Sequence, residues 1–162
     1  ALDSLKDLFA SVLLPPRRAL RTRVGGRAAE GAAGAAGQAR ALVLAHFETQ
    51  LAARYGRLLG ALEAAARDPV AHVRQRALKL AFELLVARPA HERPRLLALL
   101  ANKLGDQEPR VASQASWLLA QAARRHAQLR GPMATEVQAT VLRPNMPAAG
   151  VYHGVNALNQ IM

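Results

Sequence analysis

Apolar residues recur through most of the chain at three- and four-residue intervals, the spacing of one face of an α-helix. The first fourteen residues carry Leu2, Leu5, Leu8, Phe9, Val12 and Leu13 in that rhythm, and Pro15-Pro16 stops the helix they predict. A Gly/Ala tract over residues 25–39 interrupts the pattern. Its glycines predict a flexible loop, while its alanines allow the next helix to begin early. Over residues 40–67 the stripe returns as Leu44, Phe47, Leu51, Tyr55, Leu58, Leu59 and Leu62. Asp68-Pro69 ends it, joining a good capping side chain to a ring that suits a first helical turn. Further helices are predicted over residues 70–87, 92–104, 108–127, 132–142 and 147–162. Gly105-Asp106 reads as the end of one helix and the cap of the next, and Asn145 as the cap of the last. The connectors are short, which makes consecutive helices antiparallel neighbours.

Two of these helices are alike. Aligning Asp68 with Asp106 matches Val73 to Val111, Ala77 to Ala115, Leu80 to Leu118 and Ala81 to Leu119, an offset of 38. A weaker third copy begins at Asn145, with Gly154, Ala157, Leu158 and Ile161 on the small and apolar positions. A period near 40 with two helices per unit predicts a HEAT-like α-solenoid, in which small residues let helices approach and apolar stripes fill the grooves. The expected fold is therefore all-α. Antiparallel helix pairs over residues 40–162 form the N-terminal part of a longer solenoid. A detached N-terminal docking helix (1–14) and a basic, Gly/Ala-rich linker (15–39) precede them.

Composition supports the helical reading. Of 162 residues, 36 are Ala and 26 Leu, whereas only six are aromatic, too few with the scarce β-branched residues for a large sheet. The absence of cysteine excludes disulfides and thiolate chemistry. No apolar run approaches the roughly 18 residues of a membrane span, and no secretory signal is visible. The chain opens on Ala1 and ends within an apolar periodic stretch, and reads as part of a longer protein.

Charge changes the picture most. Basic residues outnumber acidic ones 22 to 11, and 19 of the 22 are arginine. Arg17, Arg18, Arg21, Arg23 and Arg27 crowd the connector after the double proline, with no acid among them. Arginine pairs bidentately with phosphate and stacks on bases, so this connector is the first candidate for polynucleotide contact; a solvated loop is the alternative. Two further clusters stand near helix ends: Arg74, Arg76 and Lys79, then Arg124, Arg125 and Arg130. Cations in a last helical turn also complement the helix dipole, so both readings stay open for them. Trp117 is read as core rather than as a stacking platform. A lipid-surface role is set aside, because the arginine-dense connector follows a double proline and is not helical.

Catalytic constellations are missing from the sequence. His46, His72, His91, His126 and His153 are scattered without metal-ligand spacing, and the glycine tract contains neither a dinucleotide nor a P-loop fingerprint. The expectation is a protein that is not an enzyme and holds no metal or cofactor. Leu5, Leu8, Phe9 and Val12 form an apolar stripe that must be buried on the solenoid or on a partner.

Several blocks of the chain resemble one family. NKLGDQEPRVASQASWLL (102–119), EVQATVLRPNMPAAGVYHGVNALNQIM (136–162), VRQRALKLAFELLVARPAHER (73–93) and the N-terminal ALDSLKDLF with LLPPRRALR are similar, in order, to segments of the CCAAT-binding-factor family of nucleolar complex proteins. Against that pattern Gln114 replaces a basic residue, Tyr152-His153 a Tyr-Tyr pair, and Gly150 a polar residue or alanine. The resemblance implies a nuclear, nucleolar assembly factor for the large (60S) ribosomal subunit. Its implied partners are pre-rRNA, a second nucleolar-complex HEAT-repeat protein and other large-subunit precursor proteins, with no membrane and no small-molecule substrate. The alternatives are a CCAAT-box transcriptional activator, for which the sequence offers no helix-turn-helix, zinc finger or basic zipper, and a pure protein–protein adaptor.

Overall fold

The computed structural model describes residues 1–16, 18–20 and 35–162. The described residues are helical with no strand. The helices are α1 (Leu2–Leu8), α2 (Ala35–Ala65), α3 (Ala71–Ala87), α4 (Arg93–Asn102), α5 (Pro109–Arg125), α6 (Arg130–Val141) and α7 (Ala148–Ile161). A π-helical turn, Phe9–Leu13, continues α1, and 3-10 turns at Lys103–Gly105 and Ala127–Leu129 follow α4 and precede α6. The helix expected over 40–67 starts at Ala35, five residues earlier, as the alanines of the tract allow.

The helices form two layers. In one, α5 lies between α3 and α7; in the other, α4 lies between α2 and α6. Consecutive helices pack across the layers. All-round burial of Leu78, Leu80, Leu84 and Leu85 on α3 and of Leu96, Leu97 and Leu100 on α4 places the core between them. Each such leucine contributes roughly 1.5–3 kcal/mol on leaving water.

The two helices aligned at Asp68 and Asp106 share their local geometry. α3 and α5 each span 17 residues at an offset of 38. Asp68 Oδ1 accepts the Val70 amide at 2.8 Å, and Asp106 Oδ1 accepts the Glu108 amide at 3.0 Å, so the same Asp turn launches both helices. Ala77 and Ala115, Leu80 and Leu118, and Ala81 and Leu119 are buried at matching positions. The third copy holds its small and apolar positions, with Gly154, Ala157 and Ile161 buried, but no side chain caps α7. Asn145 is exposed rather than serving as that cap.

Glycine sets two close crossings. A Cβ on Gly150 would lie 2.9 Å from the Gly105 Cα, and one on Gly154 would overlap Val141 Cγ2. The α7 backbone thus rests directly on the turn before α5 and on α6. Gly150 is a packing residue and not merely a departure from a family pattern.

Two expectations are corrected here. The N-terminal helix is not detached. Phe9 is 5% exposed and stacks obliquely on Tyr55, ring centroids 5.2 Å apart, and Leu14 is buried behind it. Lys6 reaches Glu83 of α3 at 2.8 Å and also bonds its neighbour Asp7; the hydrogen bonds it donates to Asp7 first and Glu83 second hold its ammonium above the ordinary lysine range. Trp117 is 57% exposed rather than core. It sits two residues from both Ala115 and Leu119, roughly 200° around the helix from either, and so off the buried face.

Candidate nucleic-acid interface

Of the connector arginines, Arg17, Arg21, Arg23 and Arg27 lie outside the described residues. Arg18 is described. Its guanidinium grips Glu48 of α2 with two bonds, Nη1 to Oε2 at 2.9 Å and Nη2 to Oε1 at 2.5 Å, and Glu48 holds it above the ordinary arginine range. Arg18 thereby fastens the segment after Pro16 to α2, while half its side chain stays in solvent.

The cluster on α3 divides. Arg74 points back along the helix start and donates Nε and Nη2 to Asp106 at 3.1 and 2.9 Å, and Nη1 to the carbonyls of Asp68 and Pro69 at 2.9 Å each. One guanidinium thus ties the launching turns of α3 and α5 together. Its side chain is largely buried, which withdraws it from the groups able to meet phosphate. Arg76 is half exposed and pairs with Asp3 of α1. Lys79 is exposed, with no acidic partner among the described residues.

Asp106 is the acceptor at the centre of this end. Burial, the largest single influence, favours its neutral form, but hydrogen bonds from Arg74, from the Glu108 amide and from Lys103 outweigh it and hold the carboxyl below the usual range. Lys103 Nζ reaches its Oδ2 at 3.0 Å.

The second cluster stays together at the opposite end. Arg124 and Arg125 close α5, and Arg130 opens α6 across the Ala127–Leu129 turn. All three are exposed and without a carboxylate partner among the described residues. Arg125 lies over the Phe82 ring, 5.4 Å from its centroid, a cation–π contact that pre-orders the guanidinium. Arg130 Nε bonds the Ala123 carbonyl at 3.5 Å. These groups form a basic corner of about three charges.

The expected partner stripe also divides. Phe9 belongs to the core, because the π-helical turn rotates it onto Tyr55. Leu5 and Leu8 are nearly half exposed and Val12 more so. Leu44 and Phe47, the first members of the α2 stripe, are exposed as well. They line a cleft of about 460 Å³ with Val12, Pro15 and Leu20.

Sequence reasoning missed a third group of cations, Arg67, Arg95, Lys103 and Arg143, which come from four separate segments and meet only in the fold. Among the described residues no group of three His, Asp or Glu side chains could hold a metal, and no helix is long and apolar enough to cross a membrane.

No family model matches the chain. Curated relatives do. It is 33% identical over 165 residues to the Homo sapiens CCAAT/enhancer-binding protein zeta, covering 99% of this chain and 16% of that protein. It is 36% identical over 176 residues to the ribosome biogenesis protein NOC1 of Chaetomium thermophilum, covering 99% of this chain and 17% of the relative. With nucleolar complex protein 1 of Drosophila melanogaster the identity is 28% over 163 residues, 97% of this chain and 14% of the relative. The similarity runs through the Asp68 and Asp106 units and both N- and C-terminal blocks at once, which composition alone does not produce. Along nearly its whole length the chain is thus similar to one segment of the nucleolar complex proteins related to CCAAT/enhancer-binding protein zeta, of whose length it spans about a sixth, and its location is nuclear and nucleolar like theirs.

Proposed function

We propose that the chain serves large-subunit ribosome assembly as a non-catalytic HEAT-like scaffold, holding pre-rRNA by its exposed cations and a second nucleolar-complex protein by its exposed apolar residues. The observation that carries the RNA half is the corner of Arg124, Arg125 and Arg130. There three guanidinium groups face solvent with no carboxylate partner among the described residues, on a chain of net charge +11. Neutralising phosphates releases condensed counterions, so such a surface binds polynucleotide without reading its sequence. Lys79 and the connector arginines Arg17, Arg21, Arg23 and Arg27 extend the reading, whereas Arg18 is committed to Glu48. The partner half rests on Leu5, Leu8 and Val12, which stay exposed although α1 is anchored by Phe9. Residues 1–14 then act as a docking helix that is already seated on its own fold.

The test is crosslinking of the tagged protein in cells, followed by sequencing of the bound nucleic acid. Enrichment of large-subunit precursor rRNA is expected. Recovery of promoter DNA without rRNA would overturn the proposal in favour of a transcriptional role, and recovery of neither would leave a protein-only scaffold.

A further inference from the structure

We infer that a cleft between the C-terminal ends of α2 and α4 is a phosphate-binding site for a single-stranded polynucleotide backbone, separate from the Arg124–Arg125–Arg130 corner. The inference rests on the nucleic-acid reading above and deepens it by placing a second contact at the opposite end of the helices.

The cleft measures about 250 Å³ and is lined by Glu63, Arg67, Arg95 and Lys103 among smaller residues. Arg143, from the turn after α6, reaches its rim by donating Nη1 to Asn102 Oδ1 at 2.5 Å. Three cations therefore line the space, and Arg143 stands at its rim through Asn102. Arg67 is exposed and makes no side-chain bond among the described residues, and Arg143 is exposed with only the Asn102 amide oxygen as partner. Arg95 spends Nε and Nη2 on one oxygen of Glu63, at 3.0 and 2.9 Å, and leaves Nη1 uncommitted. Lys103 shares Asp106 with Arg74.

The plain alternative is that these cations only complement the C-terminal dipoles of α2 and α4. Magnitudes decide against it. Each helix end contributes roughly half a negative charge, and Glu63 is the single carboxylate lining the space. Three lining cations against these leave a surplus of about one, which Arg143 at the rim raises to about two. That surplus sits in a concave, partly desolvated site, where field lines concentrate. Three of the four groups are guanidiniums, whose planar fork suits the paired oxygens of a phosphodiester. The cleft and the Arg124 corner stand at opposite ends of the bundle. One strand that touched both would run along the layer of α4 and α6, where no aromatic platform is exposed, so contact is through backbone rather than base.

The test uses the full chain, a fluorescein-labelled polyuridine oligonucleotide and anisotropy titrations over a series of salt concentrations. The variant is Arg67→Gln with Arg143→Gln, both exposed and unpaired with acids, so the melting temperature should not move. Arg40→Gln with Arg54→Gln, exposed arginines on α2 away from the cleft, is the control of equal charge. The cleft variant should bind roughly tenfold more weakly, and its salt slope should fall by roughly 1.4, at about 0.7 per lost phosphate contact on a single strand. The control should lose much less. Glu63→Gln, which frees Arg95, should tighten binding a few-fold. If the cleft variant and the control lose equally, the cleft is no site, although the nucleic-acid reading survives. Absence of any polyuridine binding by the unaltered chain overturns that reading and the cleft with it. If polyglutamate displaces the RNA, with the same dependence on Arg67 and Arg143, the site belongs to an acidic peptide.

Discussion

The two ends of the helical layers are fastened by different physics. Where α3, α5 and α7 begin, one guanidinium, Arg74, and one ammonium, Lys103, converge on Asp106, and the α7 backbone at Gly150 rests on Gly105. Where α3 and α5 finish, two imidazoles bond main-chain carbonyls. His91 donates from Nε2 to Pro15 at 3.0 Å, and His126 donates from Nε2 to Val86 at 2.9 Å. The first end depends on charge, so it responds to acid and to loss of any one partner. The second adds the Arg18–Glu48 and Lys6–Glu83 pairs at its N-terminal segment, but it leaves Arg124 and Arg130 with no acidic partner among the described residues. Exposed cations are thus informative only after the ones that hold the fold together have been subtracted.

The largest effect should come from breaking the charged end. Asp106→Ala strands Arg74, whose side chain is mostly buried, and frees the Glu108 amide. A loss of about 3 kcal/mol in urea unfolding is expected, the range for removing one member of a buried pair. Arg74→Ala should cost nearly as much, and the double variant little more than either single one, because the pair is coupled. The same carboxylate sets an acid limb. Its folded-state value lies below the ordinary one, so its contribution is complete above the ordinary carboxylate range and drains away as pH falls below that range. Asp106→Asn should flatten that limb of the stability-against-pH curve. An unchanged limb would show that the charged end is not what acid attacks.

Gly150→Ala tests the same end by shape instead of charge. Its new methyl would meet the Gly105 backbone, which cannot rotate aside as a side chain can, and Met146 as well. A loss of roughly 1–3 kcal/mol is expected, the usual cost of overpacking. Thermal unfolding would show it, with no change in the acid limb. That difference separates the two fastenings of one end.

What was legible in the sequence follows the same division. The Asp68 and Asp106 turns, the 38-residue offset and the buried small residues could be read because each is local and repeats. Arg74 looked like a candidate for phosphate because its partner lies 32 positions away, and no local pattern announces such a pair. Phe9 and Leu8 are adjacent on a broad stripe, and only the π-helical turn decides which one meets Tyr55. Trp117 was misread by weighing its hydrophobicity above its helical phase. The cleft cations were invisible because Arg67, Arg95, Lys103 and Arg143 share no element. Gly105 could be read as a helix stop, but its service as a seat for α7 required the fold.

At the second end, His91→Ala removes a buried donor and leaves the Pro15 carbonyl unpaired. The expected cost is about 1–2 kcal/mol, near that of one hydrogen bond plus its stranded acceptor. The loss should be local. Amide exchange of α1 and of the Phe9–Leu13 turn should speed up, while that of α5 stays protected, because the bond anchors only the segment that carries α1. Uniform acceleration across all helices would mean that the two ends are not separable units.

The smallest effect on stability should come from Leu8, the residue at the centre of the proposed docking stripe. Leu8 is 44% exposed on an anchored helix, so Leu8→Glu should change the melting temperature by no more than a surface substitution does, within about 0.5 kcal/mol. The variant keeps Phe9 on Tyr55 and Lys6 on Glu83, so α1 should remain seated. Co-purification of the second nucleolar-complex protein should nevertheless fall sharply, since a carboxylate would be carried into an apolar contact with Leu5 and Val12. The same substitution at Phe9 would confuse unfolding with lost recognition, which is why the exposed neighbour is the informative one. If Leu8→Glu leaves the complex intact, the docking surface lies elsewhere. The Leu44–Phe47 edge of the neighbouring cleft, exposed on α2, is then the next stripe to charge.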